Sequence, residues 1–222
     1  MTVKQQVIPD TLPGYTALQY IESTGTHWID TGVKPTNNTN FDYDFEFISV
    51  ASWNSSKWIS IIGERALSDD TNSTVDGYNM LSLWVNKDTF QVAVNYGSVD
   101  TGGRSGTNAN GRHVYKKSGN TFYIDDKSFY SASVSFSANY PIYVFGCNES
   151  GVNELRTLKG RVYSLQISNG TTLIRNYIPA KRDSDGVVGL YDLVNSKFYT
   201  RAEGQIFGGG SASGSFIGGP VI

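Results

Sequence analysis

The chain has 222 residues, of which 39% are hydrophobic and 13% aromatic, enough apolar material for the core of one large β domain. Only 17% are charged, and a net charge of -2 offers no basic excess to attract nucleic acid. The single cysteine, Cys147, excludes an intramolecular disulfide, and no apolar run reaches the roughly 18 residues of a membrane-spanning helix.

Residues 1–14 contain Pro9 and Pro13 and no periodic pattern, so they read as an arm or linker. They lack the hydrophobic region of a signal peptide, which fits a virion component or an excised domain. Short strands are expected at 18–21 and 27–31. Residues 41–50 alternate cleanly, with Phe41, Tyr43, Phe45 and Phe47 on one face and Asp42, Asp44 and Glu46 on the other. That period of two is the signature of a half-buried strand.

Trp53 and Trp58 bracket a polar turn, and a strand is expected over 59–64. Residues 67–79 form a loop rich in Asp, Asn, Ser and Thr. A hairpin over 80–85 and 90–96 turns at Asn86-Lys87-Asp88. Residues 97–111, rich in glycine and asparagine, read as a long loop. Strands follow at 112–117, 121–124, 127–130 and 142–146, with a turn at Asp125-Asp126 between the second and third. The basic pairs Lys116-Lys117 and Lys181-Arg182 read as solvated turns. Cys147, after Val144-Phe145-Gly146, reads as a buried thiol.

Asn169-Gly170 lies between two β-prone runs and predicts a two-residue type I′ hairpin turn, because both residues tolerate φ > 0. In that register Leu165 faces Ile174, Ile167 faces Thr172, Tyr163 faces Asn176 and Arg161 faces Ile178. This set is expected to be core. Pro179, with no N–H to donate, is expected to end the ladder. A last strand pair at 187–193 and 197–200 turns at Val194-Asn195-Ser196. Hairpins at this spacing, with no helix pattern, indicate an antiparallel sandwich. The tail, 208–222, is too glycine-rich to fold alone and reads as a linker or an arm ordered by a partner.

The run GRVYSLQISNG…IRNYIPAKR…GVVGLYDLVNSKFYT, with LQYIESTGTHWIDTGVKPTNNT near the N-terminus, resembles the laminin-G/concanavalin A-like jelly-roll modules of phage tail and bacterial surface proteins. The resemblance covers roughly residues 15–207. It implies an all-β, antiparallel two-sheet jelly-roll sandwich that presents a binding surface on a virion or cell surface.

Three constellations carry the chemical expectations. Asp42, Asp44 and Glu46 resemble the Glu-x-Asp-x-Glu strand of jelly-roll glycoside hydrolases, where one acid protonates and another attacks. Positions i and i+4 lie about 13 Å apart on a strand, whereas a retaining pair needs about 5–5.5 Å between carboxyl groups. A solvated polar face is the preferred reading, with the hydrolase as the rival.

Asp69, Asp70, Asn72 and Asp76 supply oxygens for a loose Ca²⁺ site, but Val75 and Leu81 stand where an EF-hand needs Gly and Glu. A plain loop without metal is preferred. His27 and His113 are the only histidines, so a zinc site is not expected.

Trp53, Trp58, Trp84, Tyr78 and Tyr96 are the aromatic candidates for stacking on sugar rings. The ligand surface is expected near Trp53, Trp58 and Tyr78, with Asn72 and Asp76 accepting hydroxyl protons. The expected function is thus non-catalytic recognition of a cell-surface glycan or other host-surface receptor, without a cofactor. An assembly domain whose tail docks on another copy or a virion neighbour is the third reading.

Overall fold

The computed structural model describes residues 12–50, 58–65, 80–97, 99–151, 157–201 and 208–210, with side chains at all of these but 50 and 99–107. The strands, in chain order, are β1 (Tyr15–Ala17), β2 (Ile21–Thr24), β3 (Ile29–Asp30), β4 (Thr39–Val50), β5 (Trp58–Arg65), β6 (Met80–Asn86), β7 (Gln91–Gly97), β8 (Val99–Asn108) and β9 (Gly111–Ser118). They continue as β10 (Thr121–Ile124), β11 (Lys127–Ser131), β12 (Tyr143–Val144), β13 (Asn148–Glu149), β14 (Leu158–Asn169), β15 (Thr172–Arg182), β16 (Val188–Asp192), β17 (Lys197–Tyr199) and β18 (Gly208–Gly209). Among the described residues no helix is long and apolar enough to cross a membrane.

Two sheets form. The first runs β11-β10-β9-β4-β14-β15-β16-β17, with β1 on β15, β2 on β14 and β18 on β2. The second runs β3-β12-β5-β6-β7-β8, with β13 on β5. The pairing is antiparallel apart from β13 on β5 and one isolated bridge. Rings from both layers meet between them: Tyr96 of the second sheet packs edge-on against Phe122 of the first at 5.2 Å. The molecule is a β-sandwich.

The alternation in β4 explains its central place. Phe41, Tyr43, Phe45 and Phe47 are each at most 4% exposed and face the other sheet, while Asp42, Asp44 and Glu46 point outward. The β6–β7 hairpin forms at its expected place, with Leu83 opposite Val94. Cys147 is buried, as its neighbours suggest.

The β14–β15 hairpin corrects the expected register. Leu165 faces Tyr177, Ile167 faces Arg175 and Asn169 faces Thr172, with a bulge between Ile167 and Ser168. The turn is therefore Gly170-Thr171, one residue later, and of the two residues of the expected turn only Gly170 has positive φ, at 58°. A second bulge, between Val162 and Ser164, inserts Tyr163 opposite β4. The extra residue reverses the side-chain parity of β14. Val162 is buried where Tyr163 and Arg161 were expected. Two consecutive positive-φ residues occur instead at Asp125 (51°) and Asp126 (62°), between Ile124 and Lys127.

Three further expectations give way. β15 runs through Pro179, which pairs with Leu190. The Pro179 carbonyl accepts the Leu18 N–H at 2.9 Å, so its ring nitrogen lies on the β1 side and β16 loses no donor. Part of the expected loop at 97–111 is strand β8, paired with β7. Lys117 is not in a solvated turn but 1% exposed. Its ammonium donates to the carbonyls of Asn37 (3.0 Å), Thr39 (2.6 Å) and Gly119 (2.8 Å), which uses all three of its N–H donors.

Candidate functional site

The outward face of β4 continues across its neighbours as a row of alternating charge. Glu46 lies opposite Arg112 on β9 and Arg161 on β14, and Arg161 lies opposite Glu22 on β2. Opposite charges directly across strands stabilise the sheet and fix each other's side chains.

The hydrogen bonds follow this plan. Arg161 donates from Nε to Glu22 at 2.7 Å and from Nη1 to Glu46 at 3.3 Å. Arg112 reaches diagonally and donates from Nε and Nη2 to the two oxygens of Asp44, both at 2.7 Å. Such a fork is the geometry that a planar guanidinium and a carboxylate share.

Two tyrosines join this row. The bulge that inserts Tyr163 aims it outward, where its hydroxyl donates to Glu46 at 2.7 Å. Partial burial and that hydrogen bond push the phenol up to about 12, so it remains a donor at neutral pH. The Arg112 guanidinium lies 3.5 Å from the Tyr163 ring centre and that of Arg161 4.5 Å from the Tyr20 ring centre. The two rings are 5.7 Å apart. The side chains of Arg161, Glu22 and Glu46 are 25–33% exposed and that of Arg112 40%, so solvent and ligands reach them.

The structure thus brings Asp44 and Glu46 together with cations. Asp42, further along, lies opposite Lys116 and Gln166. Tyr20, Glu22, Arg112, Arg161 and Tyr163 were not picked out from the sequence. The signal available was the positive charge at Arg112 and Lys116, four residues apart and so on one face with Val114 between them, but the bulge at Tyr163 hid its counterpart in β14.

Trp53, Tyr78, Asp69, Asp70, Asn72 and Asp76 lie outside the described residues. Trp58 stands on the outer face of the second sheet, half-buried against Trp84, Ala93 and Cys147. Trp84 is 3% exposed and donates from Nε1 to Ser82 at 2.7 Å, and Tyr96 is buried in the core. Among the described residues no three His, Cys, Asp or Glu side chains converge on a metal position.

At the end of β5, Glu64 is 1% exposed. Its Oε1 accepts the Leu81 N–H at 3.2 Å, and its Oε2 has no partner. Burial pushes this carboxyl up to about 9, against the smaller opposing effect of the Leu81 hydrogen bond. Next to it, Arg65 pairs with Glu149 at 2.5 Å and lies over the Trp84 ring.

No protein-family model, no curated protein and no solved structure matches this chain.

Proposed function

We propose that the chain is a non-catalytic recognition module of the laminin-G/concanavalin A-like jelly-roll kind. In this reading it binds a cell-surface glycan through the outer face of the first sheet, on a phage tail or a bacterial surface. One observation carries the reading: the row Arg112, Glu46, Arg161, Glu22, flanked by Tyr163 and Tyr20. Sugars offer hydroxyls that both donate and accept, at fixed spacing, and apolar ring faces beside them. Charged groups already locked by one another offer their remaining donors and lone pairs without losing rotamer freedom on binding. Aromatic edges beside them cover the sugar's C–H surface.

The hydrolase rival fares worse on this face. Asp44 gives both oxygens to Arg112, and Glu46 accepts from Arg161 and Tyr163. A carboxyl occupied in this way must first give up these partners before it can face a substrate. The reading needs no metal or other cofactor. A glycan array run alongside a reducing-end release assay tests it. Binding without release of new reducing ends is expected; turnover that disappears in Glu46→Gln establishes the hydrolase instead.

A further inference from the structure

The charged row ends at Glu22, but the sheet does not. Beyond it, on the free edge of β2, lies β18, with Gly208 opposite Glu22 and Gly209 opposite Ile21. Gly210 follows and donates its N–H to the Tyr20 carbonyl at 3.1 Å. Without this segment the edge of β2 would present open backbone donors and acceptors, a ready template for another strand.

The seat discriminates by size, position by position. A Cβ on Gly208 would meet the Glu22 Cβ at an ordinary 3.6 Å. One on Gly209 would press on Leu18 Cδ1 at 2.8 Å, the end of a side chain that can turn away. One on Gly210 would meet three atoms of the Tyr20 ring at 2.4–2.8 Å. That ring is flanked by the Arg161 guanidinium, 4.5 Å from its centre, and by the Tyr163 ring. The left-handed backbone that usually calls for glycine is absent at all three positions, so the requirement is one of space.

We propose that the edge of β2 is a strand-addition slot that selects glycine. Its partner is an extended segment with no side chain at the position over Tyr20, and Gly208–Gly210 fills it from the same chain. Filling the slot presses Tyr20 against Tyr163 and pairs the backbone at Glu22, which completes the outer face at that edge. The slot itself does not depend on what the face binds, so its test needs no ligand.

The Cβ separation of 3.6 Å across Glu22 and Gly208 lies within the disulfide range. Full-length Glu22→Cys/Gly208→Cys, mildly oxidised and run on a non-reducing gel, is expected to close an intrachain disulfide while the buried Cys147 stays reduced. Adding Gly210→Val is expected to slow closure at least tenfold, and adding Tyr20→Ala to that variant to restore it. Circular dichroism establishes that each variant is folded. The proposal is overturned if closure is as fast with Gly210→Val, if Tyr20→Ala gives no rescue, if folded protein forms no disulfide, or if the disulfide joins two chains.

Discussion

Arg112 closes a fork on Asp44, two hydrogen bonds of 2.7 Å from adjacent strands, on a carboxylate whose side chain is only 9% exposed. Cutting the fork from one side strands the other partner. Arg112→Ala is expected to destabilise the fold by about 2–3 kcal/mol, mostly through the carboxylate left behind. Arg112→Ala/Asp44→Ala should then cost less than the two single changes added together. Urea unfolding of all four proteins measures this; strict additivity would mean that the fork contributes nothing.

Lys117 is a second pinned cation, and its partners are backbone carbonyls. Lys117→Met keeps the length and apolar stem but takes the ammonium from the carbonyls of Thr39 and Gly119 and leaves that of Asn37 with the Tyr96 hydroxyl. A loss of about 2–4 kcal/mol is expected, whereas Lys116→Met, on the half-exposed neighbour, should stay within about 0.5 kcal/mol. Equal effects at the two positions would contradict the cage.

Glu64 makes stability depend on pH. Its folded-state value is raised to about 9 from the ordinary 4.5. Below the ordinary value both states hold the proton. Between 4.5 and about 9 the unfolded chain releases it while the fold retains it, so stability falls as pH rises. The slope from this group is at most about 1.4 kcal/mol per pH unit. Glu64→Gln, neutral at every pH, removes it. The melting-temperature advantage of Glu64→Gln over the native chain should therefore grow from pH 5 to pH 8; a constant difference would count against a buried neutral carboxyl.

The turn between β14 and β15 separates two readings of the same sequence. A Cβ on Gly170 meets nothing within 4 Å, so the cost of Gly170→Val is the φ of 58° alone, about 1–3 kcal/mol. Asn169, paired with Thr172, is the last strand residue. Asn169→Ala should change the melting temperature by less than half as much. Comparable losses at the two positions would favour the turn expected from Asn-Gly.

That contrast marks what could be read in advance. The period of two over 41–47 was legible because apolar and charged residues alternate there, and burial follows that pattern except at Asp44, which the Arg112 fork covers. β6, with sequence MLSLWVN, is buried on both faces, so its strand character was legible but its outer face was not. The bulge at Tyr163 had no mark in the sequence, since backbone pairing with β4 decides which residue is extra. It carried half the site out of view, and Arg161 with it. Lys117 was hidden for a related reason: besides the nearby Gly119 carbonyl, those of the distant Asn37 and Thr39 receive its ammonium, and no local pattern announces them.

The most direct test of the recognition face is to follow the Arg112 and Arg161 Nε–H signals by NMR while titrating the strongest glycan from the array. Both groups donate to carboxylates at 2.7 Å, which slows their exchange and keeps them visible. A ligand on the outer face of the first sheet should shift both and leave Trp84 Nε1–H, on the other sheet, unchanged. A shift at Trp84 with both arginines still would place the ligand on the opposite face and contradict the account.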